Sequence, residues 1–336
     1  MWRKALPVMC LLVLSVVMAW YGLQWQYFLQ HPLTLSTPET LYTIKPGQSL
    51  ASIAHELHQQ GIVAKPNFLI TLGRLRGDAN HLKAGTYLLT PGLMPSDFLS
   101  MARAGKVANF PLRIGEGWTF AQVRTALQTA PFMVSTLADQ SDAAILLLLN
   151  RKELSVEGLF FPDTYAFTAG TRDLDYLKMA MAKMDAVLAE EWADRAQSLP
   201  YKTPYEALIM ASIVEKETGK ASERAAIAGV FVRRLIKGMP LQADPTVAYG
   251  LGSVYTGKLT KANLQHDTPY NTYTRFGLPV TPIAMSSRAS LHAALHPAEG
   301  NDLYFVAKGD GEHQFSSNLA DHNKAVALYI LQRKTP

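Results

Sequence analysis

An N-terminal apolar run sets the strongest constraint on how this chain can fold. Residues 5–23 contain no charged side chain, and a helix rising ~1.5 Å per residue crosses a ~30 Å hydrocarbon core in about that length. Arg3 and Lys4 precede the run, and Gln24 follows it. Because positive charge stays on the cytoplasmic side, the sequence predicts a cytoplasmic segment at 1–4, a transmembrane helix at 5–23 and an extracytoplasmic remainder.

A cleavable signal peptide is the alternative interpretation of the same run. No small-x-small cleavage site follows the run, and this favours a retained anchor. Aromatic residues near its outer end are typical of a membrane interface: Trp20, Tyr21, Trp25 and Tyr27.

The overall charge argues against a nucleic-acid partner. The 336 residues carry a formal net charge of +5 without a clustered basic stripe. Such a mild balance favours an anionic polymer, such as cell-wall glycan-peptide, or a phospholipid surface, although a slight excess of Lys and Arg is more often just solvated surface. The single cysteine, Cys10, excludes an intramolecular disulfide.

A strand–turn–helix pattern follows a predicted linker at 24–40. At 42–54 the sequence YTIKPGQSLASIA predicts a short strand, a Pro-Gly turn and a Ser-capped helix, and variants recur at 87–99 and 112–123. The first copy resembles the opening of a LysM module, a small βααβ wall-binding domain, and predicts a LysM-like subdomain at 41–105. Alternatively, these are ordinary turns that serve folding only. The first helix would bury Leu50, Ile53, Ala54 and Leu57.

The segment 205–219 predicts a short helix stopped by Gly219, a residue type that is common in the left-handed conformation just past a helix end. Glu217 falls inside its apolar stripe, whereas Glu215 points roughly the opposite way. A carboxylate on a buried face is costly unless it is neutral, paired or lining a cleft, and burial raises its pKa as a general acid requires. Alternatively, Glu217 turns outward with a frayed last turn. The stripe itself comprises Ile209, Met210, Ile213 and Val214.

Three further segments carry groups that could bind a sugar. The segment 157–167 is rich in aromatic rings and includes Glu157, Asp163 and Tyr165, although aromatic residues at this density could equally form core. Two polar loops follow later in the chain, with candidate side chains at Gln242, Asp244, Thr246, Tyr270, Asn271 and Tyr273.

His292 and His296 lie four residues apart on one face of a predicted helix. Such a pair could hold a metal ion, but no Glu completes an H-E-x-x-H pattern and no third ligand is evident from the sequence. We therefore predict no metal site and no cofactor.

Several motifs together resemble the MltG (YceG-like) family of endolytic murein transglycosylases. The resemblance covers nearly the whole chain and rests on long motifs in the family's order. They are EGLFFPDTY at 157–165, SIVEKET at 212–218, SER at 222–224, LQADPT at 241–246, PYNTY at 269–273 and LYFVA at 303–307.

The resemblance implies an α+β fold with a larger mixed α+β catalytic domain at 106–336, located in the periplasm. It assigns the role of catalytic acid/base to the second Glu of E-K-E, which is Glu217, and it includes Ser212 among the substrate-binding candidates. Such an enzyme cleaves the MurNAc–GlcNAc β-1,4 bond of peptidoglycan glycan strands and leaves a 1,6-anhydroMurNAc end. The family is associated with terminating glycan synthesis beside the peptidoglycan synthases (penicillin-binding proteins).

The segment 277–287 departs from the family's pattern. Val280 and Thr281 replace a usual Pro and Gly, and Met285, Ser286 and Ser287 replace a usual Asn-Pro-Gly. Two other functions remain open on the sequence: a two-carboxylate muramidase using Asp244 with Glu217, and a non-catalytic wall-binding scaffold.

Overall fold

The first helix of the structure is longer than the predicted membrane span. The computed structural model describes residues 2–331, so Met1 of the predicted cytoplasmic segment and residues 332–336 of the predicted catalytic domain lie outside the described residues. Helix α1 (Trp2–Gln30) includes a stretch, Met9–Gln30, that is long and apolar enough to cross a membrane by length and composition.

The predicted linker at 24–40 begins as helix rather than as irregular chain. Residues 24–30 continue α1, and Phe28 is buried against Phe68 with ring centroids 5.7 Å apart. Trp25 also packs edge-on against Phe68, at 5.4 Å. These aromatic side chains therefore anchor α1 in the core of the N-terminal unit, which explains why the helix extends beyond the apolar run.

The chain divides into two units, Met1–Phe110 and Pro111–Pro336. In the first unit, β1 pairs antiparallel with β2, and Tyr42 lies opposite Tyr87. The apolar face predicted for the first helix after β1, α2 (Leu50–Gln59), is confirmed, because the four residues predicted to form that face are all buried. The elements after α1 follow the order β1 (Thr40–Ile44), α2 (Leu50–Gln59), α3 (Pro66–Leu75), β2 (Gly85–Leu89) and α4 (Pro95–Ala104).

The repeated strand–turn–helix unit is present three times, as β1–α2, β2–α4 and β3 (Asn109–Arg113) with α5 (Phe120–Thr129). Each turn contains a glycine with positive φ, at Gly47, Gly92 and Gly117. Because other residues rarely adopt this left-handed conformation, the glycines allow each strand to reverse into its helix.

The second unit is mixed α+β, which confirms that part of the predicted fold class. It is mainly helical, with β3 paired to β4 and an antiparallel β5–β6 hairpin. Beyond α5 its elements are α6 (Asp142–Leu148), β4 (Thr164–Thr168), α7 (Asp173–Ala193), α8 (Pro204–Glu217), α9 (Arg224–Ile236), α10 (Asp244–Leu251), α11 (Lys261–Gln265), α12 (Arg288–Leu295), β5 (Tyr304–Ala307), β6 (His313–Ser316) and α13 (Leu319–Val326), followed by a π-helical turn (Ala327–Leu331).

Helix α8 lies at the centre of this unit, in contact with α7, α9, α10 and α12. The predicted stripe is buried, but so is the rest of the helix surface from Ala207 to Val214. The helix ends at Glu217, the residue after it, Thr218, has an extended backbone (φ −144°), and Gly219 does not have positive φ. The prediction of a left-handed Gly219 cap is therefore wrong.

Candidate active site

Glu217 is the last residue of α8 and lies in the wall of a cavity of about 410 Å³. Three predicted binding residues line the same cavity: Gln242, Asp244 and Tyr273. Further lining residues come from α9, the β5–β6 hairpin and α13, and include Phe231, Arg234, Phe305, His313 and His322.

Burial raises the pKa of Glu217 to about 8, and the charge of Asp244 raises it in the same direction. The carboxyl group is therefore mainly protonated at neutral pH. A group in this state can donate a proton to a leaving oxygen and take a proton back as the carboxylate. A raised pKa is what a general acid requires, and the catalytic role of Glu217 stays a prediction.

Asp244 begins α10 and is oriented by Tyr273. The phenol hydroxyl of Tyr273 donates a hydrogen bond to Oδ1 of Asp244 at 2.5 Å. Burial, followed by the adjacent Asp244, raises the pKa of Tyr273 above its ordinary value, so the phenol remains a donor. The charge of Asp244 can thereby act on a positive charge that develops in the cavity.

Gln242 has a strained backbone, with φ at 53°. Its side-chain oxygen accepts a hydrogen bond from Arg234 at 3.1 Å, and Arg234 also donates to the carbonyls of Pro240 and Leu241. Left-handed backbone at a non-glycine residue persists only where the surroundings hold it. Arg234 therefore fixes the segment that places Gln242 and Asp244 at the cavity.

His313 and His322 also line the cavity, although the sequence did not single them out. His313 lies on β6, and its Nδ1 hydrogen-bonds Glu223 at 2.8 Å. The motif LYFVA at 303–307 pointed to the neighbouring strand, but nothing in the spacing linked that strand to Glu217. The β5–β6 hairpin brings these residues to the site through tertiary packing.

Glu215 does not point outward, so its predicted orientation is wrong. Its side chain is 5% exposed, and its Oε2 accepts hydrogen bonds from the Ser287 amide at 2.8 Å and the Ser287 hydroxyl at 2.5 Å. Its Oε1 lies 4.0 Å from the guanidinium of Arg224. Because other elements surround α8 up to its end, the side chains of both glutamates of E-K-E face other parts of the protein.

Four predicted binding residues lie outside this cavity and make internal hydrogen bonds, so their substrate contacts stay predictions. Ser212 donates to the Ile209 carbonyl and accepts from the Ile283 amide. Thr246 bonds the Ala243 carbonyl and the Thr272 hydroxyl, while Asn271 donates to the carbonyls of Leu264 and His266. Tyr270 bonds the Thr281 hydroxyl at 3.0 Å. Thr246 and Asn271 thus shape the loops that carry Asp244 and Tyr273.

The side chain of Glu157 is buried against the first residue of α5, Phe120, and does not line the Glu217 cavity. Its carboxylate accepts from the Phe120 amide at 2.9 and 3.1 Å and from the Tyr249 hydroxyl at 3.0 Å. Burial raises its pKa to about 7, against the opposing effect of these hydrogen bonds. Glu157 therefore caps the first turn of α5 in this structure.

Asp163 and Tyr165 also lie outside this cavity. The Asp163 side chain accepts from the Thr164 amide at 2.7 Å, and the Tyr165 hydroxyl donates to the Phe161 carbonyl at 2.7 Å. The neighbouring Phe160 is fully buried. The aromatic segment thus contributes to the core, and the sugar contacts of Glu157, Asp163 and Tyr165 stay predictions.

A second cavity of about 650 Å³ shares Asp244 with the Glu217 cavity. Its lining includes Lys216, Tyr249, Tyr255 and Lys258. Asp244 therefore contributes to the walls of both cavities, and the second cavity also has aromatic and cationic side chains in its wall.

The segment 277–287 packs against α8 as irregular chain, with residues 281–287 buried. The Met285 amide donates to the Trp118 carbonyl at 2.7 Å, and the Gly117 amide donates to the Met285 carbonyl at 2.8 Å. These bonds, together with those from Ser287 to Glu215, hold the segment beside α8.

The structure supplies a third group beside the histidine pair that the sequence did not reveal. Glu191 on α7 lies with His292 and His296, with one possible ligand atom of each within 4.8 Å of the others. However, both carboxylate oxygens of Glu191 already have hydrogen-bond partners. Its Oε1 accepts a hydrogen bond from Nε of Arg288 at 2.7 Å, and its Oε2 lies 2.8 Å from Nδ1 of His292. The arrangement works as an ion-pair network joining α7 to α12, and the absence of a metal site stays a prediction.

Comparison with known proteins supports one family. The sequence profile of the YceG-like family matches residues 42–328. A Bacillus subtilis (strain 168) protein named endolytic murein transglycosylase is 30% identical over 304 residues, covering 85% of this chain and 84% of its own length. A protein of the same name from Streptococcus pneumoniae serotype 2 is 26% identical over 364 aligned residues, covering 97% of this chain and 65% of its own.

A solved structure gives a similar result. The crystal structure of a yceG-like protein from Listeria monocytogenes superposes with a TM-score of 0.54 at 28% sequence identity. The match covers 86% of this chain and 99% of the Listeria chain.

Proposed function

This chain belongs to the YceG-like family, and from that membership we propose that it is an endolytic peptidoglycan lytic transglycosylase. It cleaves the β-1,4 bond between MurNAc and GlcNAc within glycan strands and leaves a 1,6-anhydroMurNAc end. The relatives' name, endolytic murein transglycosylase, supports this assignment. The main observation behind the proposal is that Glu217 has a raised pKa and lies in the wall of a cavity. Gln242, Asp244 and Tyr273 line the same cavity.

Glu217 acts first as the acid. Its neutral carboxyl protonates the glycosidic oxygen, and the C1–O bond breaks as positive charge develops at C1 of MurNAc. The C6 hydroxyl of the same sugar then attacks C1, and the Glu217 carboxylate accepts the hydroxyl proton. The ring closure regenerates neutral Glu217, so neither water nor a nucleophilic second carboxylate is consumed.

Asp244 stabilises the positive charge at C1 and is held for that role by Tyr273. A carboxylate aimed at developing positive charge in a partly enclosed site lowers the barrier. Gln242, on the segment fixed by Arg234, binds sugar hydroxyl groups. The further binding candidates Tyr270, Asn271 and Thr246 act by shaping the loops around these side chains.

Cleavage within strands requires room on both sides of the scissile bond. Asp244 contributes to the walls of both cavities, of about 410 and 650 Å³, and a glycan strand that extends from one cavity to the other would pass Glu217. Tyr255 offers an exposed ring in the second cavity, and flat rings suit the apolar faces of sugars.

A muramidase that uses Glu217 and Asp244 as its two carboxylates is the alternative enzyme. It would add water and release MurNAc with a free reducing end. A non-catalytic scaffold would release nothing. Mass spectrometry of glycan products from sacculi distinguishes the three functions. The transglycosylase is expected to release 1,6-anhydro products, which are lighter by one water than hydrolysis products. Products with reducing-end MurNAc would favour the muramidase instead, and the absence of any product would favour the scaffold.

The proposed location is the cell inner membrane, with a single pass. The N-terminus lies in the cytoplasm, α1 crosses the membrane and the catalytic domain lies in the periplasm, where it terminates strands beside peptidoglycan synthases. The apolar stretch Met9–Gln30 and the preceding Arg3 and Lys4 support this topology. The βααβ order of residues 40–89 supports a LysM-like, wall-binding role for the region 41–105. Unchanged sedimentation with sacculi after deletion of that region would contradict the binding role.

A further inference from the structure

The second cavity, of about 650 Å³, has positive charge in its wall. Two lysines line it: Lys216 on the last turn of α8, and Lys258 in the segment between α10 and α11. Both side chains are exposed, so a ligand in the cavity can reach their ammonium groups. Among the residues of this wall that the structure describes, these two cations outnumber the one acidic side chain, Asp244.

Neither ammonium group is neutralised by a carboxylate of the described residues 2–331. The Nζ of Lys216 donates to the carbonyl of Gly117 at 3.2 Å, which is a neutral acceptor. The side chain of Lys258 makes no hydrogen bond within the same range of the chain. Lys220, which follows α8, is different because it pairs with Glu312. The charge of Lys216 and Lys258 is therefore available to an anionic ligand.

Asp244 supplies the negative charge of this wall, but one of its oxygens already has a partner in the other cavity. Its Oδ1 accepts the hydrogen bond of Tyr273, and Tyr273 lines the Glu217 cavity without lining the second one. Away from this contact, the lysines dominate the charge of the second cavity. Opposite charges attract most where they are not already compensated, so the second cavity is complementary to an anion.

The substrate of the proposed reaction carries carboxylates beside its sugars. Each MurNAc bears a lactyl group, which either ends in a carboxylate or continues into a stem peptide that has carboxylates of its own. An ammonium group on a flexible side chain binds such an anion as a point charge and can follow it over several positions. Because Asp244 lies in both walls, an anionic substituent of a sugar near Glu217 has the second cavity within reach.

We propose that the second cavity is a subsite for the acidic substituent of MurNAc, where Lys216 and Lys258 bind a carboxylate of the lactyl group or of its stem peptide. The proposal rests on the transglycosylase function and assigns to this cavity a part of the substrate that does not react. The lysines hold the substrate equally before and during cleavage, so their loss should raise KM more than it lowers kcat.

The test measures binding to the full chain with the Glu217→Gln substitution, which prevents turnover. Three sets of glycan oligomers serve as probes: one with stem peptides, one with the stems removed to leave lactyl carboxylates, and one with these carboxylates converted to neutral amides. Adding Lys258→Met, which removes the charge and keeps the length of the side chain, should weaken the Kd of a charged probe about fivefold. Lys216→Met should weaken the same probe, and neither change should affect the neutral one.

The two charged probes distinguish the sources of the carboxylate. A loss confined to the oligomers with stem peptides assigns the subsite to the stem, and a loss confined to the stem-free oligomers assigns it to the lactyl group. Higher salt should reduce the affinity of the parent for that probe more than the affinity of the Lys258→Met protein, because screening acts on the charge that the variant lacks.

Lys261→Met provides the matched control, because it makes the same change of charge at an exposed lysine that lines neither cavity. It should bind every probe as the parent does. Unchanged affinity of either lysine variant for both charged probes overturns the proposal, as does equal weakening by Lys261→Met or an equal loss for the neutral probe. Failure of the parent to bind the charged probes overturns it too. The proposed function is judged separately, by the products of the wild-type protein.

Discussion

Asp244 and Glu217 line one cavity, and the charge of Asp244 helps to keep Glu217 protonated. Tyr273 orients Asp244 through a 2.5 Å hydrogen bond. In the proposed mechanism one carboxylate thus serves two purposes: it raises the pKa of the acid, and it places negative charge where the sugar becomes positive. This coupling makes the pH dependence of activity a direct readout of the site.

The alkaline limb of the activity profile should report Glu217. Because the acid must be protonated, kcat/KM should fall as the pH rises through about 8. Asp244→Asn removes the charge that raises the pKa, so the limb should move to lower pH in this variant even if the maximal rate is also reduced. An alkaline limb that stays at the same pH, or moves to higher pH, would show that Asp244 does not raise the pKa of Glu217.

The stability of Glu217→Gln should depend on pH in a defined direction. The native pKa of about 8 lies above the ordinary 4.5, so the native state binds more protons than the unfolded state between these values. The wild-type protein therefore loses stability as the pH rises through this window, whereas the amide variant does not. Melting curves should show little difference near pH 5 and a more stable variant at pH 8, by about 2–4 °C for each kcal/mol in a domain of this size. A constant difference would refute the linkage.

Glu215→Gln should act mainly on stability. The change removes the charge that pairs with Arg224 and weakens the acceptor for the Ser287 amide, at an expected cost of about 1–3 kcal/mol. Folded enzyme should keep kcat within about tenfold, a smaller loss than removal of a general acid causes. Chemical denaturation beside initial rates measures both. Unchanged stability would mean that the Ser287 contact is dispensable.

The proposed membrane topology predicts where a fused reporter protein is active. With Arg3 and Lys4 before the apolar stretch, a phosphatase fused after Pro336 should be active, since it folds only outside the cytoplasm. A fluorescent protein that requires the cytoplasm should be dark at the same position. The reverse pattern would place the catalytic domain on the wrong side for its substrate.

Local patterns in the sequence were sufficient for some features of the fold. The spacing of Ile209 and Ile213 identified a buried face of α8, and Gly47 identified the turn before α2. Glu217 was found because it interrupts an apolar stripe. These are properties of neighbouring residues, which periodicity and turn chemistry describe well.

Features that depend on distant parts of the chain were missed. A helical wheel assumes one solvent-facing side, but residues 283–287 cover the side of α8 that carries Ser212 and Glu215. His322 reaches the cavity only because α13 and the β5–β6 hairpin pack beside α9. No spacing in the sequence encodes such placements.

The central claim is that Glu217 is the acid/base of a lytic transglycosylase, and paired variants of E-K-E test it most directly. Purified wild-type, Glu215→Gln and Glu217→Gln proteins, matched by melting curves for folding, are incubated with sacculi, and 1,6-anhydroMurNAc ends are counted by mass spectrometry. Glu217→Gln should release at least ~10²-fold fewer ends, because its amide cannot transfer the proton, while Glu215→Gln should still release them. An active Glu217→Gln beside an inactive, folded Glu215→Gln would contradict the account.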